Sequence, residues 1–419
     1  MAKEYRQTVA EKYEKTAKSL MDRSPLFVSA FYEHMHHGKR EISTQVAYLR
    51  DIVFFLEYEC SVQPALKEMP IKQFPIDILD KLTVQDINEY RDYLFTERKL
   101  TNSSAKKKLS ALSAFYKFLC GNGYLQNNPM INFEYPAINK QRIIKLDAEL
   151  SNKLLAGILK NDKYLATSEY GEFVGKIPDQ VRIKRERLVL RNYAICYLFL
   201  GAGLRVSELV GLDVEDINFR QNSVNVIIKG GNETQVYFGD EVAAALRLYL
   251  NGIELSPTLS QKYYEEPELF EWCEDHIMDP DLENSITETF LSASEEKLQD
   301  VRVLVSHYRR QGRSSFKPDR NCRALFLSSR GKRITVRMVE LMIKEMVKTY
   351  LPEYDDKELF SPHKLRATCA TRILTQTGNI ELASTQLNHK GVAVTAAFYA
   401  ELQKEKRKDQ IKGLDVTEW

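Results

Sequence analysis

Long apolar runs are scarce in this 419-residue chain: the longest, Tyr193 to Leu204, spans 12 residues, well short of the about 20 that a membrane-crossing helix needs. No membrane association is expected. The start, Met1-Ala2-Lys3-Glu4-Tyr5, has no hydrophobic signal-peptide core, so the reading is cytoplasmic. Cysteine is also sparse. Cys60, Cys120, Cys196, Cys273, Cys322 and Cys369 are scattered without a CxxC or other metal-ligand spacing, which excludes a disulfide framework and a zinc module as readings and leaves reduced thiols. The sequence has neither a phosphate-binding P-loop nor an acidic metal cluster.

Net charge is nearly absent too, at +2, but the balance is uneven. Residues 265–300 hold 13 acidic residues and a single basic one, Lys297. The remainder is therefore strongly basic, as suits a chain that meets nucleic acid.

At this length, with 43% hydrophobic residues, two domains are expected. Residues 1–21 read as a charged helical lead-in. From 22 to 136 the pattern predicts an all-α unit, with helices from Pro25 to about His36, from Ser43 to about Tyr58, after Thr83 as N-cap, and from Ser103 or Ser104 to Cys120. Residues 137–143, turn-prone and basic, read as a linker, and 144–419 as a second domain. There, Arg187 to Leu200 predicts an apolar helix ending at Gly201-Ala202-Gly203, and Arg205 to Leu209 opens another. Val224 to Lys229 and Gln235 to Phe238 flank Gly230-Gly231-Asn232 and predict a β-hairpin. Further elements are a helix from Glu241 to Leu250, a short strand at Ala324 to Leu327, a helix capped by Thr335 that reaches Tyr350, and helices from Pro362 to about Lys412 broken near Gly378 and Asn388. The acidic stretch, about 256–318, shows no strand or hairpin and reads as an insertion with a regulatory or protein-binding role. The fold class is mainly α with a small β-sheet (α+β).

Several residues suit phosphoryl chemistry. Ser361-Pro362 opens a helix, so His363 and Arg366, three apart, share a face near its N-terminus. A guanidinium fork and the helix terminus both favour a phosphate. Arg205 follows a Gly-x-Gly turn, three residues before Glu208, whose carboxylate can hold the guanidinium or orient a neighbouring histidine. Lys229 stands at the hairpin edge, and Tyr399 offers a phenolic oxygen whose ordinary pKa of about 10 demands cationic neighbours before it can attack at neutral pH. Each feature alone has an ordinary reading: a solvated His/Arg pair, a helix salt bridge, a turn lysine, a core tyrosine.

Taken jointly, Gly203-Leu204-Arg205-x-Ser207-Glu208-Leu209, His363-x-x-Arg366, Leu387-x-His389 and Tyr399, in that order, resemble the tyrosine recombinase (phage integrase) family. The resemblance covers roughly residues 24–412. It implies an all-α core-binding domain followed by a mixed α/β catalytic domain. It also implies that Arg205, His363 and Arg366 bind the scissile phosphate with His389 as a further donor, that Lys229 is the general acid, that Glu208 supports the arginines, and that Tyr399 forms a 3′-phosphotyrosyl link. The implied activity is site-specific DNA recombination without metal or ATP, serving integration, excision or resolution of a mobile or chromosomal element. A type IB topoisomerase and a non-catalytic DNA-binding module are the alternatives. Where the family usually has glycine before its second histidine, this chain has Asn388, a residue that tolerates positive φ.

Lys39, Arg40 and Thr44 at one helix start, Lys106, Lys107 and Lys108 along another, and Lys140 and Arg142 in the linker are candidate DNA contacts. The resemblance implies double-stranded DNA with inverted-repeat core sites as substrate and a homotetramer on two sites. An accessory DNA-bending or directionality protein and a nucleoid-associated location complete the expectation.

Overall fold

The computed structural model describes residues 2–138, 144–160, 188–228, 231–252, 266–276, 282–309 and 322–388, together with residues 316, 318, 396, 400, 403 and 407. It divides into two compact units, Lys3–Gln141 and Arg142–Trp419. No described helix is long and apolar enough to cross a membrane.

The first unit contains helices α1 (Ala2–Asp22), α2 (Leu26–His37), α3 (Ile42–Val62), α4 (Ile76–Lys81), α5 (Val84–Thr96) and α6 (Asn102–Gly121). Their apolar stripes close on one core. Val46, Leu49, Val53 and Leu56 of α3 are buried at helical spacing, and Phe31 of α2 meets Phe115 of α6 edge-on at 5.2 Å. The lead-in helix joins that core through Ala17 and Leu20. Helix α5 starts where the sequence places it. The Thr83 amide donates to Asp86 Oδ2 at 2.7 Å, satisfying one of the donors that a helix start leaves unpaired. Helix α6 starts slightly earlier than expected, because Thr101 supplies the capping oxygen for the Ser104 amide. Helix α4, short and weakly periodic, has no clear sequence signal.

The second unit contains α7 (Ala148–Lys160), α8 (Val189–Ala202), α9 (Val206–Gly211), strands β1 (Ile217–Asn218), β2 (Ser223–Ile227) and β3 (Glu233–Tyr237), then α10 (Asp240–Asn251). The sheet is antiparallel in the order β1-β2-β3, with Val224 opposite Val236 and Val226 opposite Thr234. Val224, Val226 and Val236 are buried as the alternation requires. Strand β1, two residues long, is below what alternation can reveal.

The acidic segment is helical: α11 (Pro267–Asp275), α12 (Leu282–Thr289) and α13 (Glu295–Arg309). These three have their own small core of Leu269, Cys273, Ile286, Val301, Leu304 and Val305. Helices α14 (Val336–Tyr350), α15 (Pro362–Thr377) and α16 (Ile380–Gln386) follow. Thr335 caps α14 as expected, its hydroxyl accepting from the Met338 amide at 3.3 Å.

One expectation fails. Ala324 to Leu327 is not a strand of the sheet but makes isolated bridges, Ala324 with Asp213 and Leu327 with Arg333. The reason is divided pairing: the Leu325 amide donates to Leu212 O on one side, while Phe326 O accepts from Ile334 on the other. No single neighbour runs alongside long enough to build a ladder. Its four apolar side chains are buried all the same, which is why a short apolar run reads as a strand.

Candidate active site

Helix α8 is buried along nearly its whole length and ends at Gly203, where φ is +68°. Left-handed backbone favours glycine, and here space demands it as well. A Cβ on Gly203 would stand 2.5 Å from Leu387 Cδ2 and 3.1 Å from Cys369 Sγ. The reversal at Gly203 aims the chain into α9 with Arg205 as N-cap, in extended conformation.

Glu208, three residues on and buried, reaches back twice. It accepts from the Arg205 amide at 2.8 Å and from Arg205 Nη1 at 2.6 Å. The other guanidinium nitrogen, Nη2, donates to Asn388 O at 2.9 Å. Arg205 keeps about a third of its side chain exposed, 32% against 3% for Glu208, so the cation is fixed from behind and open in front.

Arg366 approaches from α15, whose start at Ser361-Pro362 agrees with the sequence. It is buried and spans two chain reversals, donating through Nη1 to Gly203 O at 2.6 Å and through Nη2 to Leu387 O. Its Nη1 also lies 3.8 Å from Glu208 Oε2. One carboxylate thus stands between two guanidiniums that are 161 residues apart in the chain. Burial, then the positive charge of Arg205, pulls the Arg366 pKa down to about 10, against the opposing pull of Glu208. Arg366 remains cationic at neutral pH.

His363, one turn before Arg366, retains open surface, but its pKa is lowered by the protein packed around the ring and then by Arg366, Lys364 and Arg205. The imidazole is therefore biased towards its neutral form and can accept a proton as well as donate one. Asn388 adopts φ +48°, so the turn ordinarily served by glycine is made by asparagine in the left-handed region. Its carbonyl is the one that holds Arg205.

The structure brings Arg205, Glu208, His363 and Arg366 together. Lys229, His389 and Tyr399 lie outside the described residues, as do Lys140 and Arg142. In the first unit, Lys39 and Arg40 are exposed and Thr44 half-buried, with the Arg40 guanidinium 5.4 Å from the Tyr48 ring centre. Lys107 is exposed and Lys106 half-buried, whereas Lys108 turns inward to Asp51 Oδ1 at 2.7 Å and lies 4.4 Å from the Phe54 ring centre. Lys108 braces α6 against α3.

Two supporting residues have no sequence signature. Gln386 donates to Tyr237 O at 2.6 Å and to Ala202 O at 3.4 Å, tying the hairpin to the end of α8. Arg333 donates to Val210 O at 3.0 Å and Leu212 O at 2.8 Å and pairs with Asp213, fixing the end of α9. Both act on backbone carbonyls, which any sequence provides, so spacing cannot announce them.

The second unit is thus mainly helical with a small antiparallel sheet and holds two arginines, Arg205 and Arg366, on one shared carboxylate, with Arg205 partly open to solvent. Residues 174–406 match the phage integrase family, and residues 27–124 match the phage integrase N-terminal SAM-like domain. The chain belongs to the tyrosine recombinase (phage integrase) family. It is 25% identical over 368 residues to tyrosine recombinase XerC of Caldanaerobacter subterraneus subsp. tengcongensis, covering 86% of this chain and 78% of that one. It is 24% identical over 429 residues to tyrosine recombinase XerS of Streptococcus uberis, covering 98% and 99%. Among solved structures, XerH site-specific recombinase bound to palindromic difH substrate in a post-cleavage complex shares the fold. The TM-score is 0.53 at 13% identity, over 94% of this chain and 98% of that one.

Proposed function

We propose that this chain is a site-specific recombinase that cuts and rejoins double-stranded DNA through a 3′-phosphotyrosyl intermediate. The observation that carries the reading is the Arg205–Glu208–Arg366 cluster. Two guanidiniums, one of them about a third open to solvent, are locked by hydrogen bonds from behind, which is the preorganised positive field that a pentavalent phosphate needs.

In this mechanism Arg205, Arg366 and His363 hold the non-bridging oxygens of the scissile phosphate, with His389 as an additional donor. Tyr399 Oη gives up its proton to solvent as it attacks phosphorus, and the bond from phosphorus to the 5′ oxygen breaks. Lys229 gives the leaving oxygen its proton. The diester energy is kept in the phosphotyrosyl bond, so a 5′-hydroxyl from a partner duplex reseals the strand with neither ATP nor metal.

The first unit is the core-binding domain, with Lys39, Arg40, Thr44, Lys106 and Lys107 on the phosphate backbone and Lys140 and Arg142 contributing from the linker. Inverted-repeat core sites, a homotetramer on two sites, an accessory DNA-bending or directionality protein and a place at the nucleoid belong to the same reading. So does service to a mobile or chromosomal element. A nicked suicide substrate carrying the natural site tests it: a covalent protein–DNA adduct is expected, absent in Tyr399→Phe. No adduct on the correct site refutes the reading, and adducts formed equally well on any DNA favour a topoisomerase.

A further inference from the structure

Strand β3 lies at an edge of the sheet. The Phe238 amide donates to Asn222 O at 2.8 Å, and in a trans peptide the preceding carbonyl points the other way, so Tyr237 O faces out from the open edge. Gln386 meets it there. Its Nε2 donates to Tyr237 O at 2.6 Å and to Ala202 O, in the last turn of α8, at 3.4 Å. A carbonyl at a sheet edge and one at a helix end both lack a partner within their own element, and one side-chain amide serves the two.

The neighbours of Gln386 give this link its significance. Leu387 O accepts from Arg366 and Asn388 O from Arg205, so three consecutive residues, 386–388, hold the hairpin and both arginines. The end of α8 that Gln386 touches continues into Gly203, whose carbonyl also accepts from Arg366. The base of the hairpin is thereby registered to the arginine pair.

The other end of the hairpin leads to Lys229. The ladder runs from Ser223 opposite Tyr237 to Ile227 opposite Glu233, a length of about 13 Å at strand rise, and the Ile228 amide donates to Asn232 O at 2.9 Å. Lys229 is next in the chain. A ribbon of that length needs a tilt of only about 4° at its base to carry its far end about 1 Å, and an error of about 1 Å in a reacting group costs up to about a hundredfold in rate.

We propose that Gln386 is the positioning residue for Lys229: by clamping the base of the hairpin to the end of α8, it sets the distance between the general acid and a phosphate held on Arg205 and Arg366. The inference rests on the recombinase reading, in which the Lys229 ammonium gives a proton to the 5′ oxygen as the bond from phosphorus breaks and is left as the neutral amine. Gln386 acts only through the hairpin.

Two suicide substrates separate this role from a general loss of activity. One has the ordinary 5′ bridging oxygen, and in the other sulfur replaces that atom. A thiol ionises at about pH 8.5, far more readily than a hydroxyl, so the sulfur departs as thiolate and needs no acid. Gln386→Met keeps the length of the side chain and removes the donor. Single-turnover adduct formation by this variant is expected to be about ten- to hundredfold slower than the parent on the oxygen substrate and within about twofold of it on the sulfur substrate. Lys229→Ala is expected to show the same selective rescue with a larger defect on oxygen.

A fall in the folded fraction slows both substrates alike, so it does not imitate this pattern. Gln386→Met that matches the parent on oxygen, or that is slowed equally on both substrates, overturns the proposal. So does Lys229→Ala without rescue by sulfur, because the lysine is then not an acid to be positioned. Parent protein that forms no adduct with either substrate sinks the recombinase reading and the proposal with it, whereas parental adducts alongside an unselective Gln386→Met sink the positioning role alone.

Discussion

Replacing Glu208 with glutamine keeps the shape of the side chain and removes the charge that Arg205 and Arg366 share. The parent carboxylate is 3% exposed, bonded to the Arg205 amide and Nη1, and 3.8 Å from Arg366 Nη1. Removing one member of a buried ion pair costs about 3–5 kcal/mol. Here Arg205 is 32% exposed, so water recovers part of the loss, and the amide oxygen of glutamine retains one of the two hydrogen bonds. A net destabilisation of about 2 kcal/mol follows. The pKa of Arg366, already near 10 with Glu208 pulling it up, moves further down. If the same 2 kcal/mol is lost from the transition state, adduct formation slows by at least tenfold. Urea denaturation read by circular dichroism gives the first quantity and single-turnover cleavage of the suicide substrate gives the second. An E208Q protein with the parental midpoint and the parental cleavage rate would show that the carboxylate does not organise the arginines, and the reasoning would fall.

Three further outcomes are expected. Asn388→Gly is tolerated, because φ +48° suits glycine. Asn388→Val, by contrast, costs about 1–3 kcal/mol for a β-branched residue in the left-handed region and displaces the carbonyl that holds Arg205, so N388V is slow in the cleavage assay while N388G is not. Thr335→Ala lowers the denaturation midpoint by an amount worth about 1 kcal/mol through loss of the cap on α14, with no effect on DNA affinity. In the first unit, Glu59 is buried, and burial raises its pKa to about 7, with Gln63 opposing and Asp86 and Glu89 adding to the rise. Folding therefore favours the protonated carboxyl. As pH rises from about 4.5 to about 7, the unfolded chain releases this proton first and stability falls, by on the order of 2–3 kcal/mol from this group. Glu59→Gln flattens that part of the stability–pH curve, and an unaltered slope in urea titrations at pH 5 and pH 7.5 would refute the assignment.

Much of the helical framework is legible along the chain because it depends on neighbours within a turn. The apolar spacing of Val46, Leu49, Val53 and Leu56, the Thr83 and Thr335 caps and the proline at the start of α15 each fix an element locally. The hairpin is equally local, its turn residues lying between two apolar runs. Where pairing is divided between distant segments, as at Ala324 to Leu327, local pattern misleads. Where an element is very short, as in β1 or α4, there is too little pattern to read. The acidic segment hides its helices differently: the residues that hold its core, from Leu269 to Val305, are spread among carboxylates that dominate the composition.

The sequence by itself determined the identities, order and spacing of the arginines, histidines and tyrosine that carry the resemblance to the family, because these are properties of the chain. It also determined that Asn388 could make the turn, since tolerance of positive φ belongs to the residue. Only the tertiary structure decided that Arg205 and Arg366 meet over Glu208, and that Lys108 turns away from solvent towards Asp51. Both depend on where helices distant in sequence cross. A guanidinium takes its bonds from whichever carboxylate or carbonyl that packing brings within about 3 Å, and packing of that kind is a property of the folded chain as a whole.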